Sequence, residues 1–113
     1  MFFLKLEKTL MANQFTLRYS TVFYNDLDKI INYIIFDIKN EVAAIKLIDD
    51  VEAAIKKQQA FPLQSPIYQS INKREHPYRK IVVGNFLIFY VVINDMMIVR
   101  RILYGRRDLS NTV

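Results

Sequence analysis

Two dipeptides set the architecture of the C-terminal third of this chain. Gly84-Asn85 and Asn94-Asp95 separate three runs, Arg79–Val83, Phe86–Ile93 and Met96–Leu103, that are dense in Val, Ile, Phe and Tyr. β-Branched and aromatic side chains favour extended backbone, and links this short between such runs are hairpin turns. Glycine at the first loop position suits a type II′ turn, while Asn-Asp tolerates the positive φ of type I′. The runs therefore predict a three-stranded antiparallel meander.

Two-residue links also set the register. Val83 falls opposite Phe86, Arg79 opposite Tyr90, Ile93 opposite Met96 and Phe89 opposite Arg100. Strict alternation then puts Arg79, Ile81, Val83, Phe86, Ile88, Tyr90, Val92, Met97, Val99, Arg101 and Leu103 on one face. Lys80, Val82, Leu87, Phe89, Val91, Ile93, Met96, Ile98, Arg100, Ile102 and Tyr104 fall on the other. Both faces are mostly apolar, whereas a solvated antiparallel face alternates to polar residues.

Upstream, Phe15–Tyr19 alternates as a short strand and Ser20 is placed to cap a helix. Leu27, Ile30, Ile31, Ile34 and Ile38 form one helical stripe; Ala44, Leu47, Ile48, Val51, Ala54 and Ile55 form a second. Only Lys39-Asn40 lies between the two patterns, so the helices are expected to pack as an antiparallel hairpin. Phe61-Pro62 ends the second helix and opens a loop to about Pro77.

The expected fold is α+β: an N-terminal strand, a helix hairpin and the meander, in a single domain over residues 15–109. Residues 1–14 read as a flexible extension and 110–113 as a short tail. Met11 is a plausible initiator, which would make residues 1–10 a translation-start artefact. One helix pair covers one sheet face. The other is expected either to lie open as a partner-binding surface or to be covered by residues 61–78 or the extension.

Charge narrows the function. Residues 1–60 hold eight basic and eight acidic side chains, whereas residues 61–113 hold eight basic and three acidic ones. The whole surplus of +5 thus lies in the second half, as suits a polyanion or an acidic protein partner. The chain has no cysteine and one histidine, His76, so thiolate chemistry and a histidine-rich metal site are excluded, and no residue pattern calls for a cofactor. No apolar run reaches membrane-spanning length, and a cytoplasmic protein is expected. Neither a Gly-rich dinucleotide fingerprint nor a P-loop occurs.

The densest candidate for function is the guanidinium group set of Arg79, Arg100, Arg101, Arg106 and Arg107 around Tyr104. Such groups bind phosphate or carboxylate in bidentate fashion and stabilise phosphate charge in a transition state. His76 reads as a surface loop residue more than as a base, Asp108 as a local ion-pair partner, and Tyr78 and Tyr90 as packing residues.

In this order, strand, helix hairpin, meander, the chain resembles the RelE/ParE superfamily of bacterial toxins from type II toxin–antitoxin systems. The likeness covers about residues 15–109. It rests on Tyr19-Ser20 before Asp26-Leu27, Ile30 and Tyr33-Ile34, on the run from Gly84 to Tyr90, and above all on Arg101-Ile102-Leu103-Tyr104-Gly105-Arg106-Arg107-Asp108.

The resemblance implies a growth inhibitor of the plasmid-stabilisation type, neutralised by an antitoxin whose acidic, amphipathic segment wraps its surface. RelE-like members are ribosome-dependent mRNA endonucleases; ParE-like members poison DNA gyrase. A nuclease here would use Arg79, Arg101, Tyr104 and Arg107. Contacts to target or antitoxin would fall on Lys80, Phe89, Arg100, Tyr104, Arg106 and Arg107. Leu87 stands where the nucleases commonly carry arginine, Tyr104 replaces a frequent histidine, and no Tyr or His follows Arg107. These departures lean the reading to the gyrase poison. The nuclease is the alternative, and a non-toxic RNA-binding adaptor is a third.

Overall fold

The computed structural model describes residues 15–69 and 74–105. The extension at 1–14, the tail at 110–113, and Arg106, Arg107 and Asp108 lie outside the described residues. Strand β1 (Thr16–Tyr19) leads into helix α1 (Thr21–Asn32), which continues through a π-helical turn, Tyr33–Asp37, to α2 (Glu41–Gln59). Strands β2 (Arg79–Val83), β3 (Phe86–Ile93) and β4 (Met96–Tyr104) follow as the expected meander.

Both helices begin on side-chain caps. Ser20 Oγ accepts from the Phe23 N–H at 3.1 Å, and Asn40 Oδ1 accepts from the Ala43 N–H at 3.0 Å. The reversal between the helices uses Lys39 at φ +61° and a 3.0 Å bond from the Asn40 N–H to the Ile34 carbonyl. In the meander, Gly84 and Asn94 have positive φ, at +56° and +54°, but Asp95 does not. Type I′ needs positive φ at both central residues, so the expectation of that turn at Asn94-Asp95 is overturned.

The sheet order is β1-β4-β3-β2, with β1 parallel to β4 (Thr16 opposite Met96, Tyr19 opposite Val99). The β2–β3 register is the expected one, including Arg79 with Tyr90 and Val83 with Phe86. Between β3 and β4 the expected register holds from Ile93–Met96 to Tyr90–Val99, then slips by one. Phe89 faces Arg101 rather than Arg100, which is the extra residue of a β-bulge. An unpaired residue reverses every later alternation. Ile102 and Tyr104 therefore move to the helix-covered face, and Arg101 and Leu103 move to the opposite one, correcting the strict two-face assignment.

The main core lies between the helix hairpin and one sheet face. Phe23, Val51 and Ile55 from the helices meet Ile81, Val83, Ile88, Tyr90, Met97, Val99 and Ile102. Without the slip at Arg100, Ile102 would point away from this core. Tyr90 is fully buried, and its hydroxyl donates to the Pro62 carbonyl, drawing the loop after α2 onto the sheet.

The second face is not bare. Phe89 and Leu103, 0% and 4% exposed, lie under Tyr68 and Tyr78, whose rings sit 5.0 and 5.9 Å from that of Phe89. The loop after α2 is stitched to the outer edge of β2 by bonds from the Tyr68 N–H to the Tyr78 carbonyl (2.8 Å) and from the Lys80 N–H to the Pro66 carbonyl (3.2 Å). Of the two expectations for this face, cover by residues 61–78 is what the structure shows over its centre. Phe89 is consequently a core residue and offers nothing to a partner. Val82, 65% exposed, and Arg100 remain open.

Ile88→Ala should cost about 2–5 kcal/mol, as deletion from a closed core does, while Val82→Ala should stay within about 0.5 kcal/mol. Urea denaturation followed by circular dichroism checks both. Burial raises the Tyr90 phenol above its usual pKa, with the Ser65 hydroxyl and the Arg79 charge pulling back less. The folded state thus holds this proton more tightly than the unfolded chain. That contribution is intact below about pH 10, the unfolded value, and is lost as pH rises beyond it. The urea midpoint should fall through that alkaline range, and fall less steeply in Tyr90→Phe.

Candidate functional site

The arginine-rich end of the sheet is organised by α1. Strand β1 stops at Tyr19, leaving the outer edge of β4 without a strand neighbour beyond Val99. Ser20 spans the break: its N–H donates to the Val99 carbonyl at 2.9 Å and its hydroxyl donates to the Arg100 carbonyl at 2.8 Å. One turn into the helix, Asp26 takes over. Its carboxylate accepts from Arg101 Nε at 2.7 Å, from an Arg101 terminal nitrogen at 3.0 Å and from the Ile102 N–H at 3.2 Å. A side chain thereby satisfies an edge donor that a further strand would otherwise take. The bond to Asp26 is the main reason the Arg101 guanidinium pKa is raised, against the opposing effect of burial. Arg101 is a permanently charged half of an ion pair whose side chains are 23% and 10% exposed.

Arg79 is also engaged. A terminal nitrogen donates to the Leu63 carbonyl at 3.0 Å and to the Ser65 carbonyl at 2.7 Å, clamping the loop on β2. Tyr104 lies near the far end of the sheet. Its register partner is Phe86, which pairs with Val83 at the end of β2 opposite Arg79, and the Tyr104 and Phe86 rings are 5.8 Å apart. Lys80 is half-buried, its backbone taken up by the loop and its carbonyl accepting from the Ser65 hydroxyl.

Arg79, Arg101 and Tyr104 therefore do not converge on one point: two arginines hold structure, and the tyrosine lies on the helix side. Arg106 and Arg107 fall outside the described residues. Arg100, by contrast, is exposed and has no carboxylate partner among the described residues.

Alternation puts this side chain beside Val91 and Ile93, and the slip after it brings Arg101 to the same face. There the loop contributes Arg74, whose guanidinium lies 4.5 Å over the Tyr78 ring, together with His76. Sequence reasoning did not single out Arg74, and it noted Asp26 only as part of a motif. Nothing local marks Asp26, whose partners lie on β4, and although the ring under Arg74 belongs to the same loop, only the fold brings that loop beside Arg100. Among the described residues, no three His, Asp or Glu side chains group as a metal site requires, and no helix is long and apolar enough to cross a membrane.

Asp26→Ala should destabilise the fold by about 2–4 kcal/mol, because it orphans both a partly buried guanidinium and an edge N–H. Asp28→Ala, one turn-position away on the exposed side, should cost less than about 0.5 kcal/mol. Thermal melts of the two variants side by side make the comparison.

Similarity to known proteins agrees with this architecture. Among solved structures, the chromosomal ParDE toxin–antitoxin system from P. aeruginosa matches with a TM-score of 0.61 at 18% identity, over 80% of this chain and 95% of that one. The RelB-RelE antitoxin–toxin complex from Methanococcus jannaschii matches with a TM-score of 0.43 at 24% identity, over 77% and 88% of the two chains. No curated protein sequence matches. A family model described as the ParE toxin of the type II toxin–antitoxin system, parDE, matches residues 17–109, a span that takes in the helix hairpin and the meander of this chain. The chain belongs to the ParE toxin family.

Proposed function

We propose that this toxin inhibits growth by acting on DNA gyrase, not by cutting mRNA, and that a cognate antitoxin with an acidic, amphipathic segment neutralises it in the cytoplasm. The observation that carries the choice of target is the dispersal of the nuclease candidates. Arg79 is bound to loop carbonyls, Arg101 is paired with Asp26, and Tyr104 packs beside Phe86 on the helix side. General acid–base cleavage of a phosphodiester needs its proton acceptor and its charge-stabilising groups within hydrogen-bond reach of one reacting centre. Leu87 adds no charge where a nuclease would place one.

Surface character supports the partner. The exposed apolar residues gather on the helix hairpin rather than on the open sheet. Phe36 and Val42 are 70% and 77% exposed at its turn, with Tyr33, Ile38 and Ile45 around them. A patch of this kind, on a chain whose second half carries the basic surplus, suits a partner segment with one apolar and one acidic face.

Expression of the chain alone in growing bacteria should arrest growth, and purified protein should inhibit supercoiling by gyrase while messages stay intact. Tyr104→Phe should leave the arrest unchanged. Cleavage of ribosome-bound mRNA, abolished by Tyr104→Phe, would replace this reading with the nuclease. Co-expression of a small acidic protein from the adjacent reading frame should restore growth.

A further inference from the structure

On the open face of the sheet lies a cleft of about 330 Å³ between the β3–β4 pair and the loop that precedes β2. Its floor is apolar, made by Val91 and Ile93. Its walls are cationic and aromatic: Arg100 from the bulge on one side, and Arg74, His76 and Tyr78 from the loop on the other. We propose that this cleft binds the phosphodiester backbone of single-stranded nucleic acid, one nucleotide at a time, through Arg74 and Arg100.

Three features support the assignment. First, the bulge puts two neighbouring guanidinium groups on one face. In an uninterrupted strand consecutive side chains point to opposite faces, but here Arg100 lines the cleft while Arg101, its neighbour, shares that face and binds Asp26. One guanidinium is neutralised, and the other has no carboxylate partner among the described residues. Second, the Arg74 guanidinium carbon lies 4.5 Å over the Tyr78 ring, and Tyr78 is itself backed by Phe89. A guanidinium fixed in this way has little rotamer freedom to lose on binding. Its outer surface offers a plane for a base, and its edge offers donors for a phosphate.

Third, the charge is one-sided. Among the described residues, Glu75 is the only carboxylate on the lining; its side chain is 90% exposed and lies 3.9 Å from His76. The size also discriminates. The cleft is at the small end of ligand sites, so it takes a nucleotide unit and not the breadth of a duplex. An acidic peptide would satisfy the arginines, but it would leave the planar surface of Arg74 without a stacking partner. The site is separate from the question of the toxin's target, since it uses none of Arg79, Tyr104 or Asp26.

The test is fluorescence anisotropy on the full chain with a labelled single strand of about ten nucleotides, made once as DNA and once as RNA. Binding should weaken as salt rises. Arg74→Ala and Arg100→Ala should each lower affinity about tenfold and reduce the salt slope by about 0.7, the loss of one phosphate contact to a single strand. Both side chains are exposed, so the variants should keep the parent's melting temperature. The stronger of the DNA and RNA arms identifies the natural source.

Lys57→Ala, on the exposed side of α2, removes the same charge and should change neither quantity. Three results would each overturn the proposal: no binding to either strand, equal weakening by Lys57→Ala, or competition by polyglutamate as effective as by an unlabelled strand of equal length. A chain that bound nucleic acid at this cleft yet spared gyrase would sink the proposed target and leave the site standing.

Discussion

The carboxylate of Asp26 and the hydroxyl of Ser20 hold the point where four parts of this fold meet. Strand β1 ends, α1 begins, β4 bulges and the sheet loses its outer neighbour, all within a few residues of Arg100. Ser20 caps α1 with one lone pair and gives its proton to the Arg100 carbonyl, so helix start and bulge are held by one atom. Asp26 then binds the Ile102 N–H and the Arg101 side chain on the far side of the bulge. The bulge leaves edge groups that would be orphaned, and α1 satisfies them. In return the slip turns Ile102 into the main core and Leu103 beneath the tyrosines of the loop. Two apolar layers, one on each face, depend on that single displaced residue.

The parts of this architecture that depend on local chemistry were legible in the sequence. The three meander strands begin and end where the β-formers and the two-residue links place them, apart from Tyr104, which joins β4. Ser20 is the expected cap, and the reversal falls at Lys39-Asn40. What was not legible is set by partners distant in sequence. Parallel pairing of β1 with β4 joins residues eighty positions apart, such as Thr16 and Met96. The bulge is fixed by α1: the run Val99-Arg100-Arg101-Ile102 breaks period-two alternation, but on a sheet with two apolar faces either face could have taken Ile102. The π-helical turn at Tyr33–Asp37 likewise breaks the helical stripe without a proline or glycine to announce it, and leaves Phe36 and Ile38 exposed.

The same distinction governs the arginines. Counting them along the chain treats each as available, yet a guanidinium carries five donors and is often consumed by structure. Arg79 spends its donors on loop carbonyls, and Arg101 on a carboxylate. Their positive charge remains, but their geometry is committed, and recruiting either for a phosphate would release the loop or the sheet edge. Among the described residues neither Arg74 nor Arg100 has a carboxylate partner, and the two lie on the same side of the sheet. A count along the chain cannot tell the two engaged arginines, Arg79 and Arg101, from Arg100.

Apolar surface divides in a complementary way. A chain of this length has one hairpin to cover a sheet with two apolar faces, and small domains bury a limited share of what they carry. The loop from Phe61 to Tyr78 resolves the deficit on the sheet by laying two tyrosines over Phe89 and Leu103. No segment among the described residues does the same for the hairpin's turn, where Phe36, Ile38 and Val42 face outward. The greasy surface and the guanidinium groups of Arg74 and Arg100 consequently occupy different elements, the first on the helices and the second across the open face. A protein segment docked on the hairpin would not by that contact alone cover the cleft at Arg100, whereas one long enough to reach both would mask them together. If neutralisation required both surfaces to be covered at once, the partner would need length as well as affinity.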